Sequence, residues 1–123
     1  MNLPKSEEQV IPILWQKERA FMKDIVDAYP DPKPAASTIA TLLKRLLNKE
    51  AIGFNQYGNV REYYAIWKKE EYFSSHFKGV IKDFFNGSVS QFASFFTTNG
   101  NMTEEQLEEL KKIVDQQIET RKK

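Results

Sequence analysis

The segment at 35–50, AASTIATLLKRLLNKE, constrains this chain more than any other, because its apolar residues recur at helical spacing over several turns. Ile39, Leu42, Leu43, Leu46 and Leu47 fall on one stripe, whereas Ser37, Thr38, Thr41, Lys44, Arg45 and Lys49 fall largely on the other side. One face is suited to a core. The other carries small hydroxyl groups in the first turn and cations one or two turns later, a pattern that suits a helix whose N-terminal end enters a DNA major groove. An ordinary solvated surface helix is the alternative, and the flanking sequence separates the two.

Upstream, Ser6-Glu7-Glu8-Gln9 has the form of a capping box, and Val10, Ile11, Leu14 and Trp15 follow as an apolar face. A helix over 7–19 is expected, bent at Pro12, which removes a backbone donor and crowds the preceding turn. A second amphipathic stretch at 21–29 places Met22, Ile25, Val26 and Tyr29 together and ends before Pro30, Pro32 and Pro34. Short helix, stiff turn and polar-faced helix form a helix-turn-helix.

Downstream, the apolar and aromatic runs at 52–57 and 61–67 flank Gly58-Asn59, the signal of a β-hairpin. Three helices and a hairpin make a winged helix, with Gln56, Asn59 and Arg61 near the tip of the wing, where they either touch backbone phosphate or are simply solvated.

The composition shifts at Lys68-Lys69-Glu70-Glu71, which places a domain boundary between 68 and 69: a winged helix-turn-helix domain over 1–68 and a helical dimerisation region over 69–123. Phe73, Phe77, Val80, Ile81 and Phe84 trace a helical stripe that stops at Asn86-Gly87. Ser88 can cap a short helix carrying Phe92, Phe95 and Phe96. Thr103-Glu104-Glu105-Gln106 is a second capping box, and Leu107, Leu110, Ile113, Val114 and Ile118 face one way beyond it. So much aromatic surface exceeds what one small winged helix can cover, so the stripe points to a symmetric homodimer interlocked through Phe73, Phe77, Val80, Ile81, Phe84, Phe92, Phe95, Phe96, Leu107, Leu110 and Val114. An intramolecular bundle capping the domain is the other solution.

Composition narrows the function. With 18 basic against 17 acidic residues, overall charge does not advertise a polyanion partner, so any nucleic-acid contact rests on local distribution. The absence of cysteine removes disulfides, thiolate metal sites and thiol nucleophiles. His76, the sole histidine, has no carboxylates at ligand spacing, so no metal or cofactor is expected. Glu7/Glu8, Glu104/Glu105 and Glu108/Glu109 sit at or near helix starts, where the dipole explains them better than acid–base catalysis. No phosphate loop or nucleophile motif is present, so an enzyme is not expected. Without a signal segment or a bilayer-length apolar run, the expected location is the cytoplasm, with no membrane insertion.

These pieces together resemble the penicillinase and methicillin-resistance repressor family, to which copper-responsive repressors are related. The likeness lies in Val10-Ile11-Pro12-Ile13-Leu14-Trp15, in 37–46 with Lys49 and Ile52, in Arg61-Glu62-Tyr63-Tyr64, and in Thr103-Glu104-Glu105-Gln106-Leu107-Glu108-Glu109-Leu110. It implies repression through a palindromic double-stranded DNA operator, with Thr38, Thr41 and Arg45 at DNA-contacting positions of the recognition helix. Ser37 and Ala40 depart from the Lys or Arg common in relatives, which implies a different operator. In the β-lactam-responsive members a membrane protease sensor acts indirectly, leading to cleavage at an Asn–Phe bond. Here the corresponding residues are Ser94-Phe95-Phe96, so the same cut does not carry over. The reading is therefore a homodimeric DNA-binding repressor that uses the helix at 35–50, with phosphate contacts from Lys44, Arg45, Lys49 and Arg61 and base approach by Ser37, Thr38 and Thr41. A winged-helix module that binds protein instead of DNA is the alternative.

Overall fold

In a computed structural model, which describes residues 1–122, the chain is mainly helical with one small antiparallel sheet. The elements run α1 (Lys5–Glu8), α2 (Ile11–Lys17), β1 (Ala20–Phe21), α3 (Met22–Ala28), α4 (Ala36–Asn48), β2 (Ile52–Tyr57), β3 (Val60–Ala65), α5 (Lys69–Phe84), α6 (Val89–Asn99) and α7 (Glu104–Lys122). Two compact units divide the chain, Met1–Phe77 and Lys78–Lys123, so α5 begins in the first and continues into the second.

In the first unit α4 packs against α1, α3 and β2. Ile39, Leu43 and Leu46 are fully buried and Leu42 nearly so, while Leu47 is only half-buried at the edge of the stripe. At about 1.5–3 kcal/mol for each fully buried aliphatic side chain, this stripe seats α4 firmly. Ile11, Leu14 and Ile25 of the preceding helices join this core, with Val10 from the turn between α1 and α2.

The N-terminal helix differs from the sequence expectation. In place of one bent helix over 7–19 there are two pieces, because Pro12 stands in the first turn of α2, where its missing N–H costs nothing. Ser6 lies inside α1, which starts after Pro4 without a side-chain cap, so the first capping box does not form. The second does. Thr103 Oγ1 accepts from Gln106 N–H at 3.1 Å, and Gln106 Oε1 accepts from Thr103 N–H at 2.9 Å.

The wing is a hairpin as expected, with Tyr57 opposite Val60 and Gly58 at φ +61 in the first turn position, a conformation that favours glycine. The sheet has one strand more than expected. Ala20 and Phe21 pair with Tyr63 and Glu62, giving the order β1-β3-β2. Two residues carry no period-2 pattern, so the sequence alone does not separate β1 from the start of α3. The Phe21 N–H is held by the Asp24 carboxylate at 3.0 Å, which starts α3 at the end of the strand.

In the second unit Ser88 caps α6 by accepting from Gln91 N–H at 3.1 Å, and Phe85 meets Phe92 and Phe95 at centroid distances of 5.5 Å. Neither α6 nor α7 has a buried residue among those described. No helix of the described residues is long and apolar enough to cross a membrane.

Candidate nucleic-acid interface

The site is built on α4. Because its apolar stripe is turned inward, Ser37, Thr38, Ala40, Thr41, Lys44 and Arg45 are all left exposed on the opposite side. The helix begins at Ala35, whose methyl group cannot cap it, so the first backbone N–H groups have no side-chain acceptor. Thr41 Oγ1 donates to the Ser37 carbonyl at 3.1 Å, which fixes the hydroxyl along the helix and leaves its lone pairs to accept. The start of α4 therefore presents bare amides and hydroxyls, and the next turn presents two cations.

The wing supplies a further cation. The Arg61 guanidinium carbon lies 4.1 Å from the Phe54 ring centroid, and its Nε donates to Gln56 Oε1 at 3.4 Å. Gln56 in turn donates to the Gly58 carbonyl at 2.8 Å, so the polar groups at the tip brace one another while Arg61 stays exposed.

Arg61, Asn59 and Val60 of the wing share one open groove of about 890 Å³ with Ala36 at the start of α4 and with Lys23 of α3. The wing, the first turn of α4 and the first turn of α3 thus border a common surface. Lys23 is exposed there and escapes sequence reasoning, because one lysine in a short amphipathic helix carries no distinguishing pattern. Lys33 is engaged elsewhere. Its ammonium donates to the carbonyls of Asp27 and Tyr29 at 3.0 and 2.6 Å, closing the C-terminal end of α3.

Lys49 stands apart from the other expected phosphate ligands. Its Nζ lies 2.5 Å from Glu7 Oε1, and the Glu7 side chain is only 2% exposed. A buried carboxylate needs its counter-charge, so this ammonium is held at Glu7, with the lysine side chain still 37% exposed. Lys49 caps α4 and ties it to α1.

The aromatic stripe divides. Phe73 is 40% exposed and meets Trp15 and Tyr72 in the first unit at centroid distances of 5.9 and 5.8 Å, whereas Phe77 lies half open at the end of that unit. In the second unit Phe84, Phe95, Phe96, Leu107 and Val114 are exposed, Phe84 to 77%, and Val80, Ile81, Phe92 and Leu110 are half-buried.

Among the described residues no group of histidines and carboxylates is arranged to hold a metal. The sequence model of the penicillinase repressor family matches residues 3–116. The chain is 23% identical over 115 residues to the methicillin resistance regulatory protein MecI of Staphylococcus aureus strain N315, covering 93% of this chain and 94% of that protein. It is 23% identical over 116 residues to the penicillinase repressor of Bacillus licheniformis, covering 94% and 91%.

Proposed function

This chain belongs to the penicillinase repressor family, DNA-binding transcriptional repressors and not enzymes, and from that premise we propose that it works as a homodimer on a palindromic operator read by α4. The observation that carries the reading is the division of α4 into a buried apolar stripe of Ile39, Leu42, Leu43 and Leu46 and an exposed face of hydroxyls and cations that begins with uncapped amides. Ser37, Thr38 and Thr41 approach base edges, and Lys44, Arg45, Arg61 and Lys23 meet phosphates. Lys49 supports α4 from behind.

Four cations per subunit make a monomer a weak binder. Pairing two subunits makes the second half-site effectively intramolecular. The C-terminal stripe is the surface that pairs them, since α6 and α7 have no buried residue in a single chain while Phe84, Phe95, Ile113 and Val114 lie open. Two recognition helices related by a twofold axis then address half-sites about 34–36 Å apart. On this reading its site of action is the cytoplasm.

Selection from a randomised duplex library, followed by binding at increasing salt, tests the proposal. The parent chain enriches an inverted repeat, and Thr41→Ala and Arg45→Ala each lose affinity for it. Equal binding by both variants would refute the role of α4. Failure to retain any duplex at low salt would favour the protein-binding module.

A further inference from the structure

Adjacent residues on a helix point about 100° apart, so Glu7 and Glu8 of the four-residue α1 cannot serve the same neighbour. Glu7 takes Lys49 at the C-terminal end of α4, and Glu8 accepts the hydroxyl of Tyr72 in the first turn of α5. One short helix thus grips the helix assigned to DNA and the helix that leads out of the first unit. Tyr72 is 1% exposed, and its ring is enclosed by Trp15, Trp67, Phe73 and His76 at centroid distances of 5.8–6.4 Å. The approach to α5 is pinned as well. Trp15 Nε1 donates to the Trp67 carbonyl at 2.8 Å, and the amides of Ile66 and Trp67 both donate to Ala51 O.

We infer that Glu8 and Tyr72 form a latch that fixes the direction in which α5 leaves the first unit relative to α4, and that this latch sets which half-site spacing the dimer accepts. The inference rests on the dimeric, DNA-binding reading above. A stiff connection makes spacing strict, because an inserted base pair turns the second half-site by about a tenth of a helical turn and the second recognition helix cannot follow. A loosened connection lets it follow. Glu8 and Tyr72 are positioning residues, placed to touch no DNA.

The chain has no cysteine, so nitroxide labels can be attached at Ala40→Cys in α4 and Glu71→Cys in α5, both exposed. Two readouts on the full-length protein then test the latch: the distance distribution between the labels without DNA, and the affinity of the unlabelled chain for its selected operator with one base pair inserted or deleted between half-sites. Tyr72→Phe keeps the ring packing and removes only the hydroxyl, while Glu8→Ala removes the acceptor and Glu8→Gln keeps a neutral one. Expected are a broader distance distribution for Tyr72→Phe and Glu8→Ala, a spacing penalty reduced by about an order of magnitude, and near-parental behaviour for Glu8→Gln. A parental distance distribution in both disrupting variants, or an unchanged spacing penalty, overturns the inference. If the parent retains no duplex, the DNA reading fails by itself, and the label distances alone uphold or overturn the latch.

Discussion

Lys49 shows how a single side chain can satisfy a sequence pattern and still serve another end. Its spacing from Lys44 and Arg45 puts it among the cations of the recognition helix, yet it neutralises Glu7, the one charged residue buried in the described chain. Lys49→Met leaves that carboxylate buried without a counter-charge. The expected loss is about 3 kcal/mol of stability, read by denaturant unfolding, with a smaller loss for Glu7→Gln. Tyr72 makes a second prediction at this scale. Burial, then the hydrogen bond to Glu8 and its negative charge, push the phenol up to about 12 from its ordinary value of 10, against a lowering backbone hydrogen bond at Leu3. The unfolded chain therefore releases this proton first. The contribution is complete below pH 10 and is lost as pH rises through about 12, at up to about 1.4 kcal/mol per pH unit. Tyr72→Phe should flatten that part of the stability–pH curve relative to the parent. Tyr29 contrasts with it, since its buried hydroxyl has no hydrogen-bond partner and desolvation raises its pKa.

At the scale of elements, α4 is the most legible part of the chain and α1 the least. Four strongly apolar positions at helical spacing leave α4 no alternative face to bury, and its exposed side follows directly. In α1 the local signal misleads, because Ser6 and Gln9 match a capping box while Pro4 and Pro12 decide where the two short helices begin. The strand β1 is two residues long and exists through pairing with β3, which nothing local encodes. For α4 the expectation concerns salt. Removing one phosphate-neutralising cation from the complex lowers the slope of log affinity against log salt by about 0.9, so Arg45→Ala, which removes one from each subunit, should reduce it by about two. Measuring anisotropy over a range of salt concentrations checks this, and Lys49→Met should leave the slope near the parental value.

For the molecule as a whole, the uneven burial of its two units is the governing feature. The first unit has a closed core, from Val10 and Ile11 through Leu46 to Tyr72, while the second has no fully buried residue in α6 or α7 and exposes large apolar side chains. Stability borrowed from a second copy obeys mass action, so the melting temperature of a dimer should rise with protein concentration over the micromolar range. Sedimentation in the same range should give twice the mass of one 14.4 kDa chain. A stable monomer, or a melting temperature independent of concentration, would leave the aromatic stripe without its proposed role.

The sequence by itself determined what depends on neighbours a few residues apart: the two faces of α4, the hairpin around Gly58, and the caps at Ser88 and Thr103. Helical and strand periods and side-chain reach act over one or two turns, so those features can be read from the order of residues. Tertiary structure alone decided that Lys49 answers Glu7, 42 positions away, and that Tyr72 answers Glu8, 64 positions away. Such pairs form only when burial has closed the chain over them, because the low-polarity interior makes an unpaired charge or hydroxyl costly. No local pattern records which distant residue will be there to meet it.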